Sequence, residues 1–294
     1  MSYQIILHGG ANDLTEEKEI RKEVCEIIAN EAEKMLKEGV SALDVCEKTV
    51  CQLEDNPLFN AGTGSYLQID GTPRMDACIM TSELQLGSVI QIRDVQNPIS
   101  VARKLLELDF HSTLSGEGAN QFATEYGFPP KSVITEKQNE NFLHAQEKLH
   151  GDISYKNLIQ SFHLSGSDKL GTVGCVVRDN NGRIVAGTST GGLKVCFPGR
   201  VGDSPLTGAG NYANTFCGVS CTGIGEKIMR LSLARLVSFF VENGNKVQEA
   251  CQKAIDQLGA IQGDGGVIAI SHTGEIGFSF NTKTMSYAYR EGHG

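Results

Sequence analysis

Four short segments in the second half of the chain contain the hydroxyl and glycine residues best suited to catalysis. They are Gly171–Gly174, Thr188–Gly192, Pro198–Pro205 and Ser220–Gly223. A threonine hydroxyl is a weak nucleophile unless a base lies beside it, and an N-terminal threonine has such a base in its own α-amino group. This amine titrates near about 7.7–8.0, so part of it is neutral at cellular pH. A cut before Thr172 would therefore expose a nucleophile together with its base.

The bond between Gly171 and Thr172 is suited to such a cut. The Thr172 hydroxyl can attack the Gly171 carbonyl and convert the amide to an ester, which water then opens. Because Gly171 has no Cβ, it tolerates a strained backbone and leaves room for the hydroxyl. From the residues alone an alternative stays open, in which Thr172 simply begins a β-strand, where threonine is common.

The spacing of apolar residues predicts the elements that must position these segments. Helices are predicted over residues 15–38, 41–57, 97–108, 226–242 and 245–258. Strands are predicted at residues 5–7, within 65–95, and as hairpins over 172–187 and 267–280. Residues 131–170 are polar and weakly periodic, which is typical of a mobile linker. Blocks of helices alternate with blocks of strands, so we expect an α+β protein whose antiparallel sheets are covered by helices.

Length, charge and cysteine usage exclude several classes of protein. The 294 residues are enough for one large domain with a substantial core. The chain has 26 basic and 35 acidic residues, and the formal net charge of −9 disfavours a nucleic-acid partner. No apolar run reaches the roughly 18 residues that cross a bilayer, and residues 1–8 lack an export signal. We therefore expect no membrane contact, a cytoplasmic location and reduced thiols at the nine cysteines.

Several common catalytic motifs are absent or lie in the wrong context. The chain has neither the Gly-Lys dipeptide of a P-loop nor the HExxH motif of a zinc hydrolase. Residues 208–213 match a dinucleotide-binding glycine pattern, but no predicted strand precedes them. Residues 187–191 match GxSxG, yet a turn-rich stretch follows where a nucleophile elbow needs a helix. These patterns disfavour nucleotide binding, zinc chemistry and a Ser-His-Asp triad.

The order of the motifs resembles one known family along nearly the whole chain. Besides the four segments above, the matching motifs are Leu7–Ala11, Leu58–Gly64, Met75–Ala77, Asp264–Gly266 and Phe280–Thr282. Together they resemble the plant-type asparaginase and isoaspartyl peptidase family of N-terminal-nucleophile hydrolases, which also includes glycosylasparaginase. The resemblance implies a four-layer αββα sandwich, two antiparallel sheets between helical layers, in agreement with the predicted order of elements.

The resemblance also implies how the chain matures and assembles. Residues 1–294 would form a single domain that cleaves itself after Gly171. The products would be an α subunit of residues 1–171, with the mobile linker 131–171 at its end, and a β subunit of residues 172–294. Two such αβ units would associate as an (αβ)2 dimer.

The same resemblance assigns roles in catalysis to five residues. Thr172 would be the nucleophile, and Thr190 would bond the nucleophile region. The Thr222 hydroxyl and the Gly223 N–H would bind the oxyanion as its charge develops. The side-chain amide of Asn60 would support the site. Without the family, these residues are equally a strand-end hydroxyl at Thr190, a Thr-Gly turn and a turn asparagine.

Substrate binding is assigned by resemblance to Arg200 and Asp203. They match residues that hold the α-carboxylate and α-ammonium of an aspartyl group. A guanidinium fork suits a carboxylate, and a carboxylate suits an ammonium, so the pair would recognise a zwitterion. The alternative is a local ion pair in a turn, which contributes less than about 1 kcal/mol.

The loop of residues 53–63 resembles one in which relatives surround a sodium ion with backbone carbonyl oxygens. Hard cations favour oxygen ligands of this kind. The carbonyls would come from Leu53, Glu54, Asn56, Phe59, Ala61 and Thr63. The ion would be structural, and no catalytic cofactor is implied.

Two departures from the family pattern concern the rim of the site. Many relatives carry a lysine four residues before the arginine, where this chain has Cys196, with Lys194 two positions earlier. The rim of the substrate site is therefore expected to differ. Residues 208–223 are one residue shorter than in several relatives, which affects the loop before Thr222 and Gly223.

The function implied is hydrolysis of the side-chain amide of L-asparagine and of β-aspartyl (isoaspartyl) dipeptides. The reaction would pass through an ester on Thr172 and release aspartate with ammonia or an amine. One alternative is a glycosylasparaginase, which the lack of an export signal disfavours. The other is an uncut, inactive homologue that binds aspartyl ligands.

Overall fold

The computed structural model describes residues 2–12, 17–148 and 171–293, and these ranges contain eleven strands and eight α-helices. The strands are β1 (Ser2–Asn12), β2 (Met75–Thr81), β3 (Leu86–Ile92), β4 (Thr113–Ser115), β5 (Val173–Arg178), β6 (Ile184–Thr190), β7 (Asn211–Ala213), β8 (Cys217–Gly223), β9 (Gly265–Ser271), β10 (Ile276–Phe280) and β11 (Thr284–His293). The helices are α1 (Lys18–Lys37), α2 (Ala42–Asp55), α3 (Pro98–Leu108), α4 (Gly116–Glu125), α5 (Glu136–Lys148), α6 (Gly225–Leu231), α7 (Leu233–Glu242) and α8 (Val247–Ala260).

The strands form two sheets. The larger sheet has seven strands in the order β11-β1-β5-β6-β2-β3-β4, and the smaller has four in the order β10-β9-β8-β7. The named strands pair antiparallel, except that β4 pairs parallel with β3. The expectation of purely antiparallel sheets is therefore wrong at this one edge. Helix α3 lies between β3 and β4 in the chain, and such a crossover lets the next strand run in the same direction.

Three hydrophobic clusters join these elements. The first lies between the seven-stranded sheet and helices α1 to α3, and it contains Leu53 of α2. The second lies between the four-stranded sheet and helices α6 to α8, and it contains Leu258 of α8. The third contains residues of both sheets, including Val176 and Ile268, so the sheets pack face to face. The chain is thus a mixed α/β protein with two packed sheets.

Local signals in the sequence predict several boundaries correctly. Ser41 is the N-cap of α2, and its side-chain oxygen accepts a hydrogen bond from the Asp44 N–H over 3.2 Å. Helix α3 begins at Pro98, whose missing N–H costs nothing in the first turn. The predicted hairpin after Thr172 is confirmed as β5 and β6, and its turn contains Gly182 with a φ of +80°.

Two predictions are partly wrong, one for a helix and one for the linker. The helix expected over 226–242 is two helices, α6 and α7, which are separated at Ser232 with a φ of +49°. The linker expected over 131–170 contains helix α5, in which Gln138 Nε2 donates to the Gly64 carbonyl over 3.0 Å. Its remaining part, residues 149–170, lies outside the described residues, as do residues 15 and 16 of the first predicted helix.

All nine cysteines have free thiols, and eight of them are buried. Burial raises the pKa of several of these thiols, to about 12 for Cys78. Within the three described ranges, no helix is long and apolar enough to cross a bilayer.

Candidate active site

Thr172 and Thr190 lie side by side on the face of the large sheet that meets the small sheet. The Thr172 hydroxyl donates a hydrogen bond to Thr190 Oγ1 over 3.3 Å. Both side chains are almost fully buried, with 6% and 4% of their surface exposed. The β5–β6 hairpin brings them together, because Val173 pairs with Ser189 across it. Two residues predicted from the sequence are therefore in direct contact.

The Gly171 carbonyl, next to this threonine pair, accepts two hydrogen bonds. Asn60 Nδ2 donates to it over 2.8 Å and the Thr190 hydroxyl over 3.3 Å. Asn60 is itself held in place, because its Nδ2 also donates to the Gly192 carbonyl over 2.7 Å and its Oδ1 accepts from the Tyr66 N–H over 2.9 Å. Donors that polarise a carbonyl in this way favour attack on its carbon.

The N-terminal strand passes very close to the same bond. At Gly10 the backbone has a φ of +101°, which favours glycine, and a Cβ there would lie 3.1 Å from Gly171 Cα and 3.3 Å from the Thr172 nitrogen. The pairing of β1 with β11 is irregular at this point, between His8 and Ala11. The glycine therefore allows the strand to pack against the Gly171–Thr172 peptide.

Thr222 and Gly223 end strand β8 on the other side of the site. The Thr222 hydroxyl oxygen accepts a hydrogen bond from the Ala11 N–H over 3.3 Å, which leaves its own hydrogen available to donate. Thr222 is fully buried. Gly223 lines the same cavity as Thr172.

Arg200 and Asp203 form a charged wall near these threonines. The guanidinium of Arg200 makes a two-point ion pair with Glu226, with both nitrogen-to-oxygen distances at 3.0 Å. Burial raises the pKa of Asp203 to about 7, although the nearby Arg200 charge opposes the rise. One carboxylate oxygen of Asp203, Oδ2, is buried and has no hydrogen-bond partner among the described residues. Glu226 was not predicted from the sequence.

One small cavity, which we call the acyl cavity, joins the hydroxyl residues to this charged wall. Its lining includes Gly171, Thr172, Thr190, Arg200, Asp203 and Gly223. Its free volume of about 10 Å³ is room for about one water molecule. Gly171 lines this cavity next to Thr172.

A family model described as Asparaginase (Asparaginase_2) matches residues 1–294, the full length of the chain. The chain belongs to this asparaginase family. The resemblance drawn from the sequence motifs is thereby confirmed.

Curated relatives of this asparaginase-family chain are named as L-asparaginases, as isoaspartyl peptidases or as both. A protein of Pyrococcus horikoshii named plant-type L-asparaginase is 46% identical, over 97% of this chain and 95% of its own length. A protein of Escherichia coli named isoaspartyl peptidase is 38% identical, over 97% and 92%. A mouse protein named isoaspartyl peptidase/L-asparaginase is 38% identical, over 98% and 88%.

A row of hydrogen-bonded, buried polar side chains lies behind Thr172, and the sequence did not predict it. His8 Nε2 lies 3.0 Å from Ser220 Oγ, which lies 2.7 Å from the Thr188 hydroxyl. Burial lowers the pKa of His8 to about 3, so its imidazole is neutral. His8 pairs with Gly174 across β1 and β5. The Leu7–Ala11 motif signalled this histidine, but nothing local showed that its ring reaches the second sheet.

A second set of side chains that the sequence did not predict, Asp76 and Gln91, supports the loop that carries Arg200. Asp76 accepts a hydrogen bond from the Gln91 N–H over 2.7 Å, and burial raises its pKa to about 6. The side chain of Gln91 donates to the Arg200 carbonyl over 2.9 Å and accepts from the Gly199 N–H over 3.0 Å. Asp76 also pairs with Thr190 across β2 and β6. One carboxylate thus links the loop to the strand that carries Thr190.

The loop of residues 53–63 begins in the last turn of α2, where the helix dipole favours a cation. A Cβ on Gly62 would lie 2.4 Å from the Glu54 oxygen, and one on Gly64 would lie 1.9 Å from the Phe59 oxygen. Two of the expected sodium ligands therefore approach the same short turn. Among the residues described, no group of three or more His, Cys, Asp or Glu side chains is placed to hold a metal.

Cys196 and Lys194, which depart from the family pattern in the sequence, have different surroundings in the structure. Cys196 is buried with Leu193, and burial raises the pKa of its thiol. Lys194 instead lines a cavity that also contacts Gly171. The loop before Thr222 is anchored by the Gly210 carbonyl, which accepts from the Cys221 N–H over 2.9 Å.

Proposed function

We propose that this chain is a self-processing hydrolase of L-asparagine and β-aspartyl dipeptides. The names of its relatives support the choice of substrates. The observation that carries the proposal is the Gly171–Thr172 peptide itself, because its carbonyl has two donors and its threonine hydroxyl is buried beside a second threonine. An ordinary strand-initiating threonine needs none of these contacts.

Self-cleavage begins with Thr172 Oγ1, which attacks the Gly171 carbonyl carbon. Thr190 accepts the hydroxyl hydrogen bond of Thr172 and donates its own to the Gly171 oxygen, so it orients both reacting groups. Asn60 Nδ2 stabilises the negative charge on that oxygen. The carbon–nitrogen bond then breaks, the nitrogen of Thr172 takes up the hydroxyl proton, and water hydrolyses the resulting ester. The products are a carboxylate on Gly171 and a free amine on Thr172.

Hydrolysis of the substrate repeats this chemistry with the new amine as base. The amine of Thr172 accepts the hydroxyl proton while Oγ1 attacks the side-chain amide carbon of the substrate. The Thr222 hydroxyl and the Gly223 N–H stabilise the oxyanion. Ammonia or an amine leaves with the proton, an aspartyl ester forms on Thr172, and water releases aspartate.

Arg200 and Asp203 bind the backbone end of the aspartyl group. The substrate carboxylate pairs with the guanidinium of Arg200, which Glu226 holds toward the acyl cavity. The substrate ammonium pairs with the buried carboxylate of Asp203, whose Oδ2 has no partner of its own among the described residues. An incoming ammonium would satisfy that oxygen and restore a normal pKa to the acid.

The carbonyl loop is proposed to hold a structural sodium ion. Its ligands would be the backbone oxygens of Leu53, Glu54, Asn56, Phe59, Ala61 and Thr63, and the close approach of two of these oxygens to one turn supports the assignment. The ion would fix the loop that carries Asn60. The ion would take no part in the chemical steps of the proposed reaction.

Architecture and assembly follow the same proposal. Residues 1–294 would form a single N-terminal-nucleophile domain with a four-layer αββα arrangement, and the three hydrophobic clusters support this order of layers. The mature protein would consist of an α subunit, residues 1–171, and a β subunit, residues 172–294. Two such units would form an (αβ)2 dimer in the cytoplasm.

The test is to incubate the purified chain and then determine its termini and its activity. We expect the 31.7 kDa chain to give fragments of about 18 and 13 kDa on a denaturing gel, in proportion to their lengths. N-terminal sequencing of the smaller fragment should read Thr-Val-Gly-Cys. The cleaved sample should release aspartate from L-asparagine and from β-Asp-Leu. A single intact band after long incubation, without hydrolysis, would instead support an inactive binding protein.

A further inference from the structure

Gly171 also lines a second cavity, and among the residues that the structure describes it is the one residue that lines both this cavity and the acyl cavity. This second cavity has a volume of about 250 Å³. It is enclosed by the Asn60 loop, by helix α5 and by the start of α1. Gly171 therefore separates the two cavities in the uncut chain. When the bond to Thr172 is hydrolysed and Gly171 moves away, the cavities adjoin at the nucleophile.

The second cavity has an excess of positive charge. Among the described residues, the charged side chains that line it are Glu17, Arg21, Lys137 and Lys194. Glu17 bridges two of the cations, because its carboxylate accepts from Arg21 Nη2 over 2.9 Å and from Lys137 Nζ over 2.7 Å. These four side chains together carry a net positive charge, although the chain as a whole has a formal charge of −9. Such a local field favours an anionic ligand.

One wall of the cavity is apolar. Pro57, Leu58 and Phe59 line it next to Asn60. A ligand with both a carboxylate and an apolar side chain would therefore contact both kinds of wall. The two substrates of the proposed reaction differ in this respect: asparagine loses ammonia, whereas a β-aspartyl dipeptide loses a whole amino acid with a free carboxylate.

Among these cations, Lys194 is the one whose backbone is connected most directly to Gly171. In the leaving amino acid, only the α-carbon separates the carboxylate from the nitrogen of the broken bond, so the cation must lie near Gly171. Asn60 Nδ2 bonds both the Gly171 carbonyl, over 2.8 Å, and the Gly192 carbonyl, over 2.7 Å. Lys194 follows Gly192 by two residues. The backbone that carries Lys194 is thus tied, through Asn60, to the residue that precedes the nucleophile.

We propose that the second cavity is the subsite for the leaving amino acid of β-aspartyl dipeptides, and that Lys194 binds its carboxylate. This inference rests on the proposed hydrolysis of such dipeptides. Asparagine does not fill the subsite, so the cavity gives the site a preference for dipeptides with a free C-terminus. An apolar residue such as leucine fits the wall formed by Leu58 and Phe59.

The experiment compares β-Asp-Leu with its C-terminal amide, using the fully cleaved protein. The two substrates differ only in the charge that Lys194 is proposed to bind. We expect wild-type protein to have a several-fold higher kcat/KM for the acid, and Lys194→Gln to reduce the acid-to-amide ratio about five-fold. Lys194→Arg should retain the preference. Lys48→Gln, a matched charge change on the exposed face of α2, should leave the ratio unchanged.

Failure of the subsite and failure of the proposed function would give different results. Rates are normalised to the amount of β subunit on a gel, so a change in self-cleavage does not alter the ratio. Equal ratios in wild type and Lys194→Gln would overturn the subsite while leaving the proposed hydrolase activity intact. Absence of hydrolysis of L-asparagine and of both dipeptides by cleaved wild-type protein would overturn the proposed function itself.

Discussion

The two sides of the acyl cavity differ in how completely their polar atoms are paired. On the side of Thr172, the groups that bond the Gly171 carbonyl are uncharged and paired: the carbonyl has two donors, and both ends of the Asn60 amide are bonded. At the charged wall, Asp203 Oδ2 has no partner among the described residues, and Arg200 pairs with Glu226.

This difference corresponds to two tasks. Self-cleavage involves only atoms of the chain, so its site can be complete before any ligand arrives. Substrate binding involves a zwitterion, so its site must leave a charged group unsatisfied until the ligand enters. We infer that variants of the uncharged side change self-cleavage, whereas variants of the charged wall change substrate binding alone.

The largest effect is expected from Thr172→Ala, which removes the hydroxyl that both reactions use. Self-cleavage and hydrolysis of L-asparagine should each fall by roughly 10⁴-fold or more, as is typical when a nucleophile is lost. A denaturing gel and an ammonia-release assay measure the two losses. Thr172→Ser keeps a hydroxyl and serves as the control that retains both reactions. Normal turnover in the alanine variant would refute the role of Thr172.

Asn60→Ala should slow self-cleavage, the reaction assigned to the uncharged side. It removes the 2.8 Å donor to the Gly171 carbonyl, and loss of one such donor typically slows a reaction by about 10²–10³-fold. The measurement is the half-life of the 31.7 kDa band during incubation. Gln138→Ala, which breaks a contact of the same loop away from the carbonyl, is the matched control. Equal half-lives for Asn60→Ala and wild type would show that this donor is not used.

Arg200→Ala tests the charged wall. We expect kcat/KM for L-asparagine to fall by about 10²-fold, because the substrate carboxylate loses its charged partner. Self-cleavage should proceed at close to the normal rate, since no atom of Arg200 bonds the Gly171 carbonyl in the structure. Lys104→Ala, on helix α3, is a control for loss of a cation. A parallel loss of self-cleavage would remove the distinction between the two sides.

Local signals explain why part of the fold was predictable. The Ser41 cap and the turn at Gly182 are each specified by neighbouring residues, and both are confirmed. The break at Ser232 has no such signal, because the apolar periodicity continues through it. Loop carbonyls far away in sequence make the break favourable: Gly208 accepts from the Arg235 N–H over 2.8 Å, and Ala209 accepts from the Ala234 N–H over 3.0 Å.

The candidate site likewise contains residues that the sequence predicts and residues that it does not predict. Thr172 was indicated both by its own chemistry beside Gly171 and by the family motifs, whereas Thr190 and the other residues were indicated by the family motifs alone. Glu226, Asp76 and His8 acquire their contacts only when distant elements meet. The ion pair of Glu226 with Arg200 spans 26 positions, and the contact of His8 with Ser220 spans 212. Composition and periodicity carry no information about contacts at such separations.

The smallest predicted effect concerns pH and again separates the two sides. Burial raises the pKa of Asp203 to about 7, so the carboxyl becomes protonated as the pH falls below that value. A neutral acid cannot pair with the substrate ammonium, so KM for L-asparagine should rise up to about ten-fold per pH unit below 7. The amine of Thr172 also gains a proton as the pH falls, but that change lowers kcat, since the amine is the base.

Steady-state kinetics of the cleaved protein between pH 5.5 and 8.5 distinguish these two titrations. KM should report Asp203 at the charged wall, and kcat should report the amine at the uncharged side. In Asp203→Asn, KM should be high and independent of pH over this range, while kcat keeps its pH profile. A KM that stays constant in wild-type protein would mean that Asp203 does not bind the ammonium in its charged form, and the assignment of the wall to substrate recognition would then rest on Arg200 alone.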